Sequence, residues 1–220
     1  MKAIFNITVL VLLTSISFAQ EIKIVQKPIV FDDTRKKLSL EYLKNRHGII
    51  QKEATIKPQM VVLHWTASKS FMSTFHTFNK STLDGRQNLA NASNLNVSAH
   101  YLIDRDGKVY QLLPDTVFAR HVIGLNYCAI GVENVGSADY PLTKAQLKAN
   151  ELLVRHLAKK FPITHLIGHY EHNLFKKDLL WKETNPNYKT QKTDPGVGFM
   201  RDVRIALKDL NLKGAPAKPN

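Results

Sequence analysis

The stretch Val61-Val62-Leu63-His64 is a short apolar run that ends on a histidine, and Leu166-Ile167-Gly168-His169 repeats the pattern much later in the chain. A buried strand that ends on a histidine places the imidazole at the edge of a sheet, where it can bind a metal ion. The segment Lys192-Thr193-Asp194-Pro195-Gly196 offers a carboxylate in a tight turn. Two such strands and one loop carboxylate predict a divalent metal site with one ligand position left open.

The chain has nine histidines, so position and context must separate metal ligands from structural and surface residues. His64 and His169 are selected because each ends an apolar strand. His172 is an alternative ligand on a helical turn after His169, but that pairing would leave His64 without a function. For Asp194, an ordinary Asx-turn is the simpler interpretation of the residues alone. Histidines on polar helical stretches are assigned to solvent: His47, His76 and His156.

Strands alternate with helices along the chain, and one hairpin interrupts the pattern. Residues 97–103 and 108–113 flank Asp104-Arg105-Asp106-Gly107, which has the turn residues of a β-hairpin. A short helix is expected over residues 34–46, and Thr143 begins a capping box followed by an amphipathic helix. We therefore predict an α/β fold, a single domain with a central mixed β-sheet flanked by helices.

The length of 220 residues and the hydrophobic content of 44% suit one such domain. Residues 1–19 have Lys2, an apolar stretch and small residues before Gln20, which is typical of a secretory signal. A membrane anchor is the alternative, although a membrane span needs about 20 apolar residues. We expect a signal peptide at 1–19, an extension with a short helix at 20–55, the main domain at 56–210 and a flexible tail at 211–220.

The net charge of +13 and the sequence pI near 9.8 favour an anionic partner, such as a cell-wall polymer or a membrane surface. A solvated basic surface explains the charge equally well. The basic residues are scattered and lack interleaved aromatic residues, so no nucleic-acid partner is expected. Cys128 is the only cysteine, which excludes an intramolecular disulfide and favours a core position.

Six motifs follow one another in an order that has a counterpart in a known family. They are Val62-Leu-His64-Trp-Thr-Ala, Val97-Ser-Ala-His-Tyr-Leu-Ile, Asp104-Arg-Asp-Gly, Ala129-Ile-Gly-Val-Glu133-Asn, Ile167-Gly-His169 and Lys192-Thr-Asp194-Pro-Gly. Over about residues 56–210 the chain resembles the zinc-dependent N-acetylmuramoyl-L-alanine amidases of the type-2 amidase family. Peptidoglycan recognition proteins and phage lysozyme-type amidases are more distant relatives.

The resemblance implies roles for individual residues. His64, His169 and Asp194 match the three ligands of one zinc ion. Glu133 matches an acidic residue beside the metal-bound water, and Lys192 matches the residue that faces the developing oxyanion. Glu133 ends an apolar strand, where a carboxylate needs a partner or a function. A buried structural ion pair is therefore the alternative for this residue.

Three further positions bear on the substrate and on the branch of the family. His121 resembles a family position near the substrate and is expected to bind it. Trp65 is a second substrate-binding candidate, with a core position as the alternative. Other branches of the family have a tyrosine where Ala99 stands, so this chain is similar to the branch that uses a glutamate.

The resemblance thus implies an exported, periplasmic or extracellular zinc enzyme that hydrolyses the lactyl–L-alanine amide bond of peptidoglycan or its fragments. The alternative is a non-catalytic peptidoglycan-binding module of the same fold. A zinc peptidase is disfavoured because no His-Glu-x-x-His helix is present. Stable membrane insertion is not expected, and no pattern indicates an oligomeric state. The chain departs from compact relatives in the lysine-rich insertion at 173–190, which leaves substrate selection open because a loop beside the metal could shape the cleft.

Overall fold

A computed structural model of the chain describes residues 21–83 and 92–217, so the expected signal peptide lies outside the described residues. Six strands form one sheet with the spatial order β1-β4-β3-β5-β2-β6. The strands are β1 Ile24–Gln26, β2 Met60–Trp65, β3 Tyr101–Ile103, β4 Val109–Gln111, β5 Ala129–Asn134 and β6 His165–Gly168.

The sheet is mixed, as predicted. Strands β3 and β4 pair antiparallel across the expected hairpin turn, and the other neighbouring strands pair parallel. Parallel neighbours end at the same edge of a sheet, so β2, β5 and β6 deliver the residues at their carboxyl ends to one place. That edge carries the candidate site.

Four α-helices lie within the described residues, and side chains cap three of them. The helices are α1 Asp33–His47, α2 Phe71–Asn79, α3 Lys144–Lys160 and α4 Val197–Ala206, with 3₁₀ helices at His169–Lys177 and Lys208–Leu210. Asp32 and Ser70 cap α1 and α2, and Thr143 with Gln146 forms the predicted capping box of α3. None of the described helices combines the length and the apolar composition that crossing a membrane requires.

Strand β2 is apolar because both of its faces are buried. Val61 and Leu63 belong to a core cluster that includes Leu153 of α3, and Met60 and Val62 belong to a cluster on the other face. Side chains alternate between the faces of a strand. His64 therefore shares the face of Met60 and Val62, away from α3.

Helix α1 buries a polar face, which the sequence pattern did not indicate. Its buried residues include Arg35, Ser39, Tyr42 and Arg46, at helical spacing. The assignment of His47 to solvent was wrong, since the residue is 4% exposed. Its ring lies 5.5 Å from the rings of both Tyr42 and Tyr127. The helix is held in the structure by this polar and aromatic face.

The described part of the expected flexible tail, residues 211–217, runs beside β6. The amide of Leu166 donates to the carbonyl of Lys213 at 2.9 Å, and the amide of Lys213 donates to the carbonyl of Thr164 at 2.9 Å. These backbone hydrogen bonds extend the edge of the sheet by one more segment.

Burial lowers the pKa of His47 to about 4. The unfolded value is about 6.5, so the unfolded chain takes up the proton first and stability falls as the pH drops from about 6.5 towards 4. We predict that His47→Phe, which suits the surrounding rings, reduces the pH dependence of the free energy of unfolding by up to about 1.4 kcal/mol per pH unit in this window.

Urea denaturation between pH 4.5 and 7 measures this effect. The exposed His156 provides the control, because His156→Gln should leave the pH dependence unchanged. An equally steep dependence in His47→Phe would contradict the prediction.

Candidate metal centre

Strands β2 and β6 bring the two predicted histidine ligands together. Leu63 pairs with Gly168 in the parallel register, so the residues that follow them emerge side by side. The Nδ1 atoms of His64 and His169 lie 2.9 Å apart, and both side chains are buried. Residues separated by a hundred positions in the chain thus share one site.

Asp194 completes a triangle of donor atoms. Its Oδ2 atom lies 3.2 Å from Nδ1 of His64 and 3.1 Å from Nδ1 of His169. The amide of Tyr170 donates to the carbonyl of Asp194 at 3.0 Å, which ties the turn to the residue after His169. The three ligand atoms lie within 4.8 Å of one another, and all three residues are buried.

This triangle fits a tetrahedral metal ion. Zinc binds histidine nitrogen and carboxylate oxygen at about 2.0–2.2 Å, which places two ligands of a tetrahedral ion about 3.3–3.6 Å apart. The observed separations of 2.9, 3.2 and 3.1 Å are slightly shorter, so small shifts of the side chains would open the triangle to the size that the ion requires. A pair of imidazoles with one carboxylate is also a donor set that zinc accepts.

The protonation states of the cluster suit metal binding. Burial and the neighbouring His64 lower the pKa of His169 to about 3, so the ring is neutral at pH 7. Burial raises the pKa of Asp194, but its close polar contacts with the rings of His169 and His64 outweigh burial and hold the pKa well below the ordinary range. A neutral imidazole and an ionised carboxylate are the forms that bind metals.

His121 lies behind His64 and determines which nitrogen of His64 carries the proton. The Nε2 atom of His121 lies 3.1 Å from the carbonyl oxygen of Ala129, which only accepts hydrogen bonds, so Nε2 donates. Burial lowers the pKa of His121 well below its ordinary value, and Nδ1 of the neutral ring therefore accepts. It accepts from Nε2 of His64 at 3.1 Å, which leaves Nδ1 of His64 with a free lone pair on the metal side.

Gly131 and Asn126 make room for His121 and hold it. A Cβ atom on Gly131 would lie 2.7 Å from the ring of His121, so only glycine leaves space for the imidazole. The side-chain oxygen of Asn126 accepts from the amides of His121 and Val122 at 2.8 and 2.7 Å. Sequence reasoning missed Asn126, although its position in the turn residues Gly124-Leu125-Asn126 is a signal for such a role.

Glu133 is the neighbour of His64 on β5. The two residues are register partners in the parallel pairing, and their alternation along β2 and β5 places both side chains on one face. Burial, and then the carboxylate of Asp194, raise the pKa of Glu133 well above its ordinary value, while Lys192 opposes the shift. Its Oε2 atom is buried without a hydrogen-bond partner among the described residues.

One cleft of about 760 Å³ is lined by all seven residues that the sequence analysis selected. They are His64, Trp65, His121, Glu133, His169, Lys192 and Asp194. Trp65 is half-buried at the rim, where a side chain on Gly196 would meet its ring. Both ring nitrogens of His121 are engaged by protein atoms, so its position suits support of His64 better than the predicted contact with substrate.

Two residues that the sequence analysis did not select fix the backbone before His169. Glu171 Oε2 accepts from the amide of Gly168 at 2.8 Å and from Arg204 Nη2 at 2.6 Å. The alternative ligand His172 instead donates from Nδ1 to the carbonyl of His169 at 2.7 Å and lies outside the donor triangle. A glutamate three residues after the glycine was the available sequence signal, because it has the spacing of a capping box.

Comparison with known proteins relates this chain to a family of amidases and to solved amidase structures. A family model described as N-acetylmuramoyl-L-alanine amidase matches residues 54–197. The solved structure of the amidase LysC from Clostridium intestinale URNW is 20% identical, with 87% of this chain and 99% of that chain covered at a TM-score of 0.53. The endolysin amidase LysCS from the same organism is 18% identical, with 88% and 99% covered at a TM-score of 0.53. No curated protein matches the chain. At these identities, the two solved structures show a shared fold.

The glycine before His169 provides a test of how tightly this edge is packed. A Cβ atom on Gly168 would lie 2.7 Å from the ring of Tyr170 and 3.0 Å from Cδ of Pro195. We predict that Gly168→Ala destabilises the protein by about 1–3 kcal/mol, because the added methyl group overpacks a site in which Cγ of Met200 would also lie only 2.9 Å away.

Gly198 in α4 is the matched control, since a Cβ atom there would meet nothing within 4 Å. Gly198→Ala should stabilise the protein by about 0.5–1 kcal/mol, the usual gain in a helix. Urea denaturation measures both variants, and equal tolerance of the two substitutions would refute this account of the packing.

Proposed function

Because this chain belongs to the N-acetylmuramoyl-L-alanine amidase family, whose model matches more than half of it, we propose that it is a zinc-dependent hydrolase of peptidoglycan or its fragments. The bond that it cleaves is the amide between the lactyl group of N-acetylmuramic acid and L-alanine. The observation that carries the proposal is the buried triangle of His64, His169 and Asp194 on the wall of the cleft.

His64, His169 and Asp194 would hold the zinc ion through Nδ1, Nδ1 and Oδ2. When bound, zinc supplies a Lewis acid that polarises the scissile carbonyl and makes water a better nucleophile at neutral pH. With three protein ligands, a bound zinc ion would keep one coordination position for water or substrate, as in catalytic zinc sites.

Glu133 is the proposed general base and acid. Its carboxylate lies on the same face as His64, lines the cleft and has one oxygen without a protein partner. It takes the proton of the attacking water and passes it to the leaving amine of L-alanine. A raised pKa suits this task, because the group then holds the proton between the two transfers.

Lys192 is the proposed donor to the oxyanion that develops on the scissile carbonyl. It lines the same cleft, two residues before Asp194, and its charge acts on Glu133. A positioned donor of this kind commonly contributes about 10²–10³ in rate. The ammonium group also opposes the rise in the pKa of Glu133.

His121 is proposed as a positioning residue for the metal centre. The carbonyl of Ala129 orients His121, and His121 in turn orients His64 with its lone pair towards the ion. Such partners of metal ligands typically affect metal affinity by about 10–100-fold. This role replaces the predicted contact of His121 with substrate.

We also propose that the protein works outside the cytoplasm, after removal of residues 1–19 as a signal peptide. The composition of that segment and the net charge of +13, which suits an anionic wall, support the proposal. Mass spectrometry of the protein isolated from cells should find Gln20 at the amino terminus. A mature protein that retains Met1 would contradict export by this route.

The enzymatic test is digestion of purified peptidoglycan with product identification by mass spectrometry. The wild-type protein should release stem peptides with a free L-alanine amino terminus. Glu133→Gln should lower kcat by about 10²–10⁴ with zinc content unchanged, because general acid–base catalysis is lost while the ligands remain. Glu151→Gln on α3, outside the cleft, is the control and should be fully active.

In the same assay Asp194→Ala should lose zinc and activity together, whereas His172→Gln should retain zinc. Full zinc occupancy in Asp194→Ala would show that the third ligand was wrongly chosen. If the zinc-loaded wild-type protein binds muropeptides but releases no stem peptides, the protein is a non-catalytic peptidoglycan-binding module instead.

A further inference from the structure

One wall of the cleft combines a loop inside the segment matched by the family model with a residue of α1, which lies outside that segment. Residues 182–192, here named the cleft loop, connect the region after the 3₁₀ helix to the turn of Asp194. Tyr188, Thr190, Gln191 and Lys192 of this loop line the cleft. Tyr42 of α1 lines it as well, although α1 precedes residue 54, where the family match begins.

Helix α1 holds the cleft loop through two hydrogen bonds that its backbone carbonyls accept from Thr184. The amide of Thr184 donates to the carbonyl of Arg46 at 3.0 Å, and the hydroxyl of Thr184 donates to the carbonyl of Asn45 at 2.6 Å. These carbonyls belong to the last turn of α1, where they have no partner within the helix. The loop therefore closes the carboxyl end of α1.

Arg46 adds a buried ion pair to this attachment. Its Nη2 atom lies 2.8 Å from Oε1 of Glu183, and the two side chains are 9% and 1% exposed. The guanidinium also lies 4.5 Å from the centre of the ring of Tyr188. One side chain of α1 thus contacts both the start of the cleft loop and the aromatic residue that faces the cleft.

Tyr188 is fixed from its other end by the body of the domain. Its hydroxyl accepts from Arg120 Nη2 at 3.1 Å, and Arg120 also donates to the carbonyl of Ser93 at 3.0 Å. With Arg46 over the ring and Arg120 at the hydroxyl, the aromatic side chain has one defined orientation. The cleft wall at this point depends on both contacts.

We propose that Arg46 is a positioning residue for substrate binding, and that α1 is a specificity-determining part of the cleft. The inference rests on the proposed amidase function, whose substrate must lie along the wall formed by Tyr188. Arg46 itself is not among the described residues that line the cleft. Its influence passes through Glu183 and Tyr188.

The physical consequence of losing Arg46 follows from the burial of Glu183. Removing one partner of a buried ion pair leaves an uncompensated charge, which is strongly unfavourable. Because the cleft loop is a surface segment, Glu183 can reach water if the loop moves away from α1. Tyr188 then loses its orientation, and the substrate must order the loop when it binds.

The test compares Arg46→Met, Glu183→Gln and the double variant in the full-length zinc-loaded protein. In Arg46→Met, we expect KM for a muropeptide to rise by up to about tenfold, the cost of ordering loop side chains on binding, with kcat within about twofold. Arg46→Lys, which keeps the charge without the planar face, should fall between Arg46→Met and the wild type. The double variant has no buried charge at this pair but still lacks the guanidinium over Tyr188, so its KM should lie between those of Arg46→Met and the wild type.

A second readout does not depend on turnover. The cleft loop contains Lys189, which is exposed, so limited trypsin digestion reports how often the loop opens. Cleavage after Lys189 should be faster in Arg46→Met than in the wild type and intermediate in the double variant. Lys36 lies on the same helix as Arg46 and forms an exposed ion pair with Glu53. Lys36→Met is therefore the control and should match the wild type in both assays.

Unchanged KM and unchanged cleavage in folded Arg46→Met would overturn the proposal, as would a fall in kcat at constant KM. If Arg46→Met does not fold, Glu183→Gln decides by the same criteria. Failure of the proposed amidase function is distinguishable, because it shows as an inactive wild-type protein while the trypsin assay still compares the loops.

Discussion

The close approach of two imidazoles at the end of two parallel strands is the contact on which the site depends. His64 and His169 meet because β2 and β6 pair in one register and both strands stop at the same edge of the sheet. A shift of that register by one residue would turn one imidazole into the opposite face. The apolar residues of β2 are buried on both faces and specify the register. The same residues therefore determine the packing of the core and the geometry of the site.

Around this contact, hydrogen bonds from neighbouring residues orient each of the three ligands. The carbonyl of Ala129 orients His121 and thereby His64. Glu171 and the backbone of Tyr170 fix the segments that carry the other two ligands. A donor set assembled in this way before a metal binds loses little entropy when the ion arrives, which favours both affinity and a defined open position.

Much of this arrangement could be predicted from local patterns. The strand that ends at His64, the hairpin turn and the capping box at Thr143 are short-range signals, and the structure contains all three. The mixed sheet follows from their order. The motifs shared with the family selected residues that prove to line one cleft.

The other features of the site could be identified only from the tertiary structure. Helix α1 has a polar sequence, and nothing in its periodicity indicates that Arg46 and His47 are buried. Their burial results from aromatic rings and a loop carboxylate that arrive from distant parts of the chain. The role of His121 is hidden for the same reason, because it depends on a carbonyl partner and on the space beside Gly131.

The central claim is that one zinc ion sits among three named atoms, and anomalous X-ray diffraction at the zinc absorption edge tests it most directly. Crystals grown with zinc should show one strong anomalous peak bonded to Nδ1 of His64, Nδ1 of His169 and Oδ2 of Asp194. A peak bonded to His172 in place of one of these residues, or no peak at the triangle, would contradict the account.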